Sequence, residues 1–292
     1  ELFIFLSSNL KDDDYENAEK NLINILEEIG NGIDTYITNN LFEPLLIILD
    51  NFSDFSPSAI YIVLQIIYNL MIIPDQIEYF HFFSQPIFLE HYFELITLYD
   101  QSVNIISEII RIKNQIPEEY EDQILLIIEQ SPLSSPLIDL LNKCIRVDPE
   151  FVPIDQISLK IDEILKSEAD ESLFCSAAEL VHLLIKFSED VIDFFSENAI
   201  FYLKLDNITD DISLLKIYID IVKMTKDFSF LFIDQDCIFA DFILFVLNSC
   251  NSNELLLSLL LRLLSYEGNM SCFLEHPQIL TTCIERINSF RL

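Results

Sequence analysis

Two histidines with neighbouring carboxylates are the first residues in this sequence whose types could perform chemistry. His81 and His91 flank the segment FFSQPIFLE, and Glu90 and Glu94 lie beside the second histidine. Imidazole and carboxylate groups bind zinc or transfer protons, but a zinc protease needs an HExxH pattern on one helical face, which the sequence does not contain. We therefore interpret both histidines as structural residues of helices.

Cys272, His276 and Cys283 form the second candidate for a chemical site. Residues 272 and 276 are one helical turn apart, so a thiolate and an imidazole there could share a metal ion. A structural zinc site takes four ligands, and the sequence offers no fourth one nearby. The pattern favours a core thiol beside a loop histidine, and we expect no metal.

Enzymes that bind nucleotides or phosphates depend on glycine, which is scarce in this chain. The only glycines are Gly30, Gly32 and Gly268. A phosphate loop or dinucleotide turn needs glycine where the backbone approaches the ligand closely or takes a positive φ. No GxSxG motif is present either. We therefore predict that the protein is not an enzyme and that it has neither a cofactor nor catalytic residues.

The chain is strongly acidic. It has 49 acidic and 16 basic residues, which give a formal net charge of −33 over 292 residues. A negative field of this size repels nucleic-acid backbones and anionic lipid, and it attracts cations. We expect no direct binding of nucleic acid, and we expect a partner that is a basic protein or peptide.

The cysteines and the first residues bear on the compartment. Six cysteines are spread along the chain without a CxxC pair, mostly inside apolar runs, which is typical of buried free thiols in a reducing compartment. No basic segment precedes the short apolar patch at the start, so a signal peptide is not predicted. We expect a cytoplasmic or nuclear protein. Because residue 1 is glutamate and not methionine, we also expect the chain to be a fragment of a longer one.

Residues 58–73 contain no charge, and they raise the question of a membrane span. The segment reads SAIYIVLQIIYNLMII and lies between Pro57 and Pro74. A spanning helix needs about 20 apolar residues, and this stretch is shorter and contains Gln65 and Asn69. It is about twice the usual length of a strand. Ser56 followed by Pro57 is a helix start signal, so we predict a buried helix and no transmembrane segment.

Helix-length apolar segments recur along the whole chain, and each ends at a short polar breaker. Seven occur, at residues 17–31, 58–73, 102–115, 135–149, 176–190, 211–227 and 252–269. After each breaker a second apolar helix is predicted to open, near Phe42, Ile87, Ile124, Ile157, Ile200, Ile238 and Ile279. A short segment with helical spacing lies between the breaker and this second helix. The pattern thus predicts repeats of about 40 residues, each with a short, a medium and a long helix.

The long segments carry a polar residue at a fixed position, six residues before the breaker. These residues are Asn24, Asn69, Glu108, Asn142, His182 and Asp220, and the seventh copy has Leu261. The residues two positions to either side are apolar in every copy. Positions two apart on a helix diverge by about 200°, so the flanking residues face away from the polar one. The six polar residues are therefore our candidate for a partner-binding groove, and a solvated face without any ligand is the alternative.

Three-helix units of this length, with an asparagine in the middle of a long third helix, resemble the armadillo repeat. The stretch LQIIYNLMIIPDQIEYF matches the third-helix asparagine of that family at Asn69, and LFEPLLIIL matches its second helix with Pro44 in place. HEAT repeats are a close alternative. The resemblance covers about residues 12–290 and implies an all-α, right-handed α-solenoid of about seven repeats. The single domain 1–292 would divide near 12–52, 53–98, 99–130, 131–168, 169–208, 209–249 and 250–290.

Armadillo arrays generally serve as scaffolds that hold an extended peptide or a partner domain in a concave groove lined by third helices. The resemblance implies a non-catalytic scaffold or adaptor here, with a regulatory or targeting domain of a phosphatase or ubiquitin-ligase complex as the alternative. A divergent nuclear-transport adaptor is a further alternative, but such grooves place a tryptophan one turn before the asparagine. The chain has no tryptophan, so lysine stems cannot be sandwiched by cation–π stacking.

Overall fold

The computed structural model describes residues 2–12, 14–30, 42–74, 77–167, 171–188 and 274–289, with residues 190–191, 194–195, 244, 247–248 and 261. All regular elements in these ranges are helices, and no strand occurs among them. The α-helices are α1 Leu2–Lys11, α2 Tyr15–Gly30, α3 Glu43–Asp50, α4 Pro57–Met71, α5 Ile77–Phe83, α6 Pro86–Leu95, α7 Asp100–Lys113, α8 Glu121–Gln130, α9 Ser135–Val147, α10 Ile154–Lys166, α11 Glu171–Leu184 and α12 Pro277–Ser289. Short 3-10 helices span Phe52–Asp54 and Glu118–Tyr120. The prediction of an all-α fold is confirmed.

Local signals in the sequence set where several helices begin and end. The Ser56 hydroxyl accepts a 3.2 Å hydrogen bond from the Ala59 N–H, so it caps α4 as predicted. The Asp14 carboxylate accepts from the Asn17 backbone N–H at the start of α2. Asn114 ends α7 in the left-handed conformation, with φ of 49°, which asparagine tolerates better than most residues.

The chain divides into two compact units. The first comprises Glu1–Ser131 with Asp139–Asp148, and the second comprises Pro132–Ile138 with Pro149–Leu292. The boundary passes through α9, which contributes residues to both units. The single domain and the seven repeat boundaries stay predictions.

In the first unit, long helices that follow one another in the repeat pattern are also neighbours in space. The long helices α2, α4 and α7 lie next to one another, with α4 in the middle. Helix α3 packs against α1 and α6, and α6 also contacts α7. The short helix α5, the medium helix α6 and the long helix α7 follow one another as the repeat pattern predicts. In the next repeat the short element is only the 3-10 turn Glu118–Tyr120.

Helix α4 lacks charge because it packs on two other long helices. Ile66, Ile67 and Leu70 are completely buried, as are Val63 and Leu64. Burying one aliphatic side chain of this size stabilises the fold by about 1.5–3 kcal/mol. Within the part of the chain that the structure describes, no helix is both long and apolar enough to span a membrane.

An aromatic cluster fills the space between α3, α5 and α6. Phe42, the residue before α3, is 1% exposed and meets Phe83 at a ring-centroid distance of 4.8 Å in edge-to-face geometry. Phe88 packs on Phe83 at 5.3 Å. Tyr92 is also completely buried, and its hydroxyl donates a 3.2 Å hydrogen bond to the Phe83 carbonyl. Edge-to-face pairs add about 0.5–1.5 kcal/mol each beyond their buried area.

The second unit is described mainly through α10, α11 and α12. Helices α10 and α11 pack against each other, and Ile157, Ile161 and Leu184 are completely buried on them. On α12, the Arg286 guanidinium donates hydrogen bonds of 2.6 and 3.3 Å to the backbone carbonyls of residues 247 and 248. Such bonds from a charged donor tie the helix to the preceding segment.

Candidate functional site

The structure places five of the six polar residues predicted to line the long helices. Asn24 is exposed on α2, while the other four are partly exposed: Asn69 on α4, Glu108 on α7, Asn142 on α9 and His182 on α11. Asp220 lies outside the described residues. Because α2, α4 and α7 are neighbours, the structure brings Asn24, Asn69 and Glu108 onto one layer of helices in the first unit. His182 belongs to the second unit.

The flanking residues have the opposite environment. In the five described helices, the residues two positions before and after each polar residue are buried, except Leu26, which is partly exposed. The buried residues are Leu22, Ile67, Met71, Ile106, Ile110, Leu140, Cys144, Leu180 and Leu184. Their burial, beside the partial exposure of the polar residues, follows from the 100° turn per residue of an α-helix. We call Asn24, Asn69, Glu108 and Asn142 the polar row of the first unit.

Further side-chain amides lie beside the polar row on α4 and α7. On α4, the Gln65 amide donates a 2.8 Å hydrogen bond to the Asn69 carbonyl oxygen, and both residues are partly exposed. On α7, the Asn104 amide donates to Gln101 at 3.1 Å. Gln101 in turn donates to the Tyr61 hydroxyl of α4 at 3.1 Å, so the two helices are joined across their polar faces.

The Glu108 carboxylate is paired within its own helix. The Arg111 guanidinium, one turn further along α7, donates two hydrogen bonds to it, from Nε at 2.8 Å and from Nη2. The Glu108 side chain is 14% exposed, and the pair raises the pKa of Arg111, chiefly through the hydrogen bond. Glu108 and Asp139 also raise the pKa of the nearby Tyr68 phenol, although burial is the larger cause.

A second carboxylate, Asp139 on α9, completes this group of charges. It accepts a 2.5 Å hydrogen bond from the Ser107 hydroxyl on α7, and its other oxygen lies 3.1 Å from the Lys143 ammonium. The positive charges of Arg111 and Lys143 therefore balance the two carboxylates locally. These four side chains therefore carry no net charge together, while the amides beside the row offer neutral hydrogen-bonding groups.

Sequence reasoning missed the partners that complete the row, namely Tyr61, Tyr68, Gln101, Ser107, Arg111, Asp139 and Lys143. Two of the pairs carry a local signal, since Arg111 follows Glu108 by three residues and Lys143 follows Asp139 by four. The contacts between α7 and α9 and between α4 and α7 have no such signal, because their residues are far apart in the chain.

His182 has a different neighbourhood in the second unit. Its Nε2 atom lies 2.9 Å from the ammonium of Lys186, which is two residues beyond the end of α11. An unprotonated imidazole nitrogen can accept a hydrogen bond from an ammonium group at this distance. The pair is partly exposed and sits near the end of the helix, where a positive charge is favoured by the helix dipole.

The residues considered for catalysis or metal binding lie apart. His81 is exposed on α5, whereas His91 on α6 directs Nε2 to the Asp50 carboxylate of α3 at 2.9 Å. His276 directly precedes α12, Cys283 is buried on that helix, and Cys272 lies outside the described residues. Across the described ranges, no group of three or more histidine, cysteine or acidic side chains is arranged to hold a metal ion.

Comparisons with known proteins add no relative. No protein-family model, no curated protein and no solved structure matches the chain. The resemblance to armadillo repeats therefore stays a prediction from the sequence.

Proposed function

We propose that the chain is a non-catalytic scaffold, a right-handed α-solenoid of about seven armadillo-like repeats that binds a basic, extended segment of a partner protein along its long helices. The observation that carries this proposal is that neighbouring long helices carry partly exposed amide side chains. Asn69 of α4 and Asn104 of α7 each lie on a helix whose opposite face is buried.

The amides match the needs of an extended peptide backbone. A peptide in this conformation presents unpaired N–H and C=O groups at regular intervals. A carboxamide has both two donors and an acceptor, so one side chain can satisfy both kinds of backbone group. In the described part of the chain, the Asn69 carbonyl oxygen is bonded by Gln65 while its NH₂ group has no partner. That NH₂ group can donate to a peptide carbonyl.

The overall charge selects the kind of peptide. A formal charge of −33 raises the local concentration of cations and accelerates their association. Because the carboxylates of Glu108 and Asp139 already have cationic partners, the field comes from the other acidic residues of the chain. Charge then determines the rate of association and the preference for basic peptides, and the amides determine the register in which the peptide binds.

Buried thiols support a cytoplasmic or nuclear location. Cys144 is completely buried, and burial raises the pKa of its thiol to about 12. Cys283 is 4% exposed, and burial likewise raises its pKa to about 11. Thiols of this kind serve as small apolar residues and need no oxidising compartment.

The salt dependence of binding tests the proposal. The probe is a dye-labelled, unstructured peptide rich in lysine and arginine, and the control is a peptide of the same length in which glutamate replaces the basic residues. We expect the basic peptide to bind and its affinity to fall at least about tenfold when salt rises from about 0.05 M to about 0.5 M. Failure of the basic peptide to bind, or an affinity independent of salt, would contradict the proposal.

A further inference from the structure

An open pocket lies in the second unit, where the turn that precedes α10 meets the end of α11. Its volume is about 450 Å³, a size typical of small-ligand sites. The described lining comprises residues 149–150 and 152–153 of the turn, residues 154–156 at the start of α10, and residues 187–188 that follow α11. None of these residues belongs to the polar row of the first unit.

One wall of the pocket presents an aromatic ring to solvent. Phe187 is 45% exposed, although Leu184 at the end of α11 and Ile185 directly after it are buried. Its backbone N–H donates a 2.9 Å hydrogen bond to the Leu184 carbonyl, which fixes the turn that carries the ring. Val152 and Pro153 also line the pocket, and Pro153 is the more exposed of the two. A large ring beside a cavity offers a face for stacking.

The charge of the lining selects a cation. Two carboxylate residues, Glu150 and Asp155, line the pocket, and the described lining has no lysine or arginine. Helix α10 begins here without a side-chain cap, so its first N–H groups contribute a partial positive charge of about half a unit. The Asp155 carboxylate is exposed and its full negative charge outweighs that contribution, so the lining favours a positively charged group.

We propose that this pocket binds an arginine side chain of a partner peptide. The guanidinium plane stacks on the Phe187 ring and donates hydrogen bonds to Asp155, while the aliphatic stem lies along Val152 and Pro153. Arginine fits better than lysine because its planar group can stack and form two parallel bonds at once. This inference rests on the proposed function, because it names a subsite for the basic partner, and that subsite is formed by residues of the second unit that do not belong to the polar row.

Peptide binding by the full chain and two pocket variants tests the inference. The probes are dye-labelled Gly/Ser peptides that carry two arginines, two lysines or two citrullines, since citrulline keeps the shape of arginine without its charge. The variants are Phe187→Ala and Asp155→Asn, both at exposed positions. The control Asp122→Asn removes one exposed carboxylate from α8 and matches Asp155→Asn in net charge. Circular dichroism checks that each variant is folded.

We expect the arginine peptide to bind more tightly than the lysine peptide and the citrulline peptide to bind least. Each pocket variant should weaken the arginine peptide about fivefold or more, and the control should stay within about twofold of the parent. Pocket variants that bind the arginine peptide as well as the parent would overturn the inference and leave the proposed function standing. Equal affinities for arginine and lysine would overturn it as well. If the parent binds neither basic peptide, both proposals fail.

Discussion

Ser107 on α7 donates a 2.5 Å hydrogen bond to the Asp139 carboxylate on α9, and this bond joins two long helices across the polar row. Ser107 is 1% exposed, so its hydroxyl has left water and depends on this acceptor. Asp139 is held in turn by Lys143 on its own helix. The row is thus positioned by polar contacts between helices in addition to the apolar layer beneath it.

Replacing Ser107 by alanine should destabilise the first unit. The variant leaves Asp139 without one of its donors, and we expect the free energy of unfolding to fall by about 1–2 kcal/mol, since that carboxylate is half exposed and keeps access to water. Urea unfolding followed by circular dichroism measures the change.

Ser102→Ala on the same helix is the matched control. Ser102 is completely buried, and none of the residues that the structure describes forms a hydrogen bond with its hydroxyl. Removing that hydroxyl should change the free energy of unfolding by less than about 0.5 kcal/mol or raise it slightly. Equal losses in the two variants would show that the bond between Ser107 and Asp139 does not stabilise the fold.

Truncation of the buried flanking residues should separate stability from binding. Ile67 and Leu140 are completely buried, and alanine at either position should cost about 2–5 kcal/mol because a cavity replaces the side chain. Asn69→Ala removes a half-buried amide and one hydrogen bond, so it should cost less than about 1 kcal/mol. Thermal or urea unfolding of the three variants checks this order. A larger loss for Asn69→Ala would mean that the amide is structural.

Alkaline pH should destabilise the protein partly through Tyr92. Burial holds the pKa of this phenol well above its ordinary value of 10, and the uncharged phenol is the form that the folded state favours. In the unfolded chain the phenol ionises near pH 10, so the stability contributed below that pH is lost as pH rises from there towards the folded pKa.

Tyr92→Phe tests this dependence. The variant should lose about 1 kcal/mol near pH 8, because the bond to the Phe83 carbonyl is missing. Between about pH 8 and about pH 11 its stability should fall less steeply than that of the parent. Urea midpoints at both pH values measure how steeply the stability of the parent and of the variant falls with pH. Equal falls in the two proteins would contradict the contribution of Tyr92 to the pH dependence.

The buried thiol of Cys144 should resist alkylation. Burial raises its pKa to about 12, so very little thiolate exists near neutral pH, and the side chain has no access to the reagent. Iodoacetamide followed by peptide mass spectrometry should label Cys175, which is partly exposed, well before Cys144. In urea the two should be labelled at similar rates. Rapid labelling of Cys144 in the folded protein would contradict its burial.

Much of the helical organisation could be predicted from local signals. Helix α4 follows from the Ser56 cap, from Pro57 and from a run without charge, and the burial of Ile67 and Met71 follows from helical geometry. The register of the medium helices was harder to predict. Helix α6 begins at Pro86, next to the predicted opening residue Ile87, but Ile87 itself is 47% exposed and it is Phe88 that enters the aromatic cluster.

The contacts between distant residues could not be predicted. Ser107 and Asp139 are 32 residues apart, and Gln101 and Tyr61 are 40 apart, so no local spacing indicates that either pair meets. Such pairs depend on how neighbouring helices are aligned along their axes, which the packing of many side chains determines together. The division into two units within α9 likewise has no breaker in the sequence to mark it.

The proposal that the polar row binds a basic peptide is tested by measuring the affinity of such a peptide for the double variant Asn69→Ala/Asn142→Ala. Gln123→Ala, at an exposed position of α8, is the control for loss of an amide outside the row. We predict that the double variant binds the peptide about tenfold more weakly, that its free energy of unfolding falls by less than about 1 kcal/mol per substitution, and that the affinity of the control is unchanged. Binding by the double variant that equals that of the parent would show that the polar row is a solvated face and would contradict the proposed function.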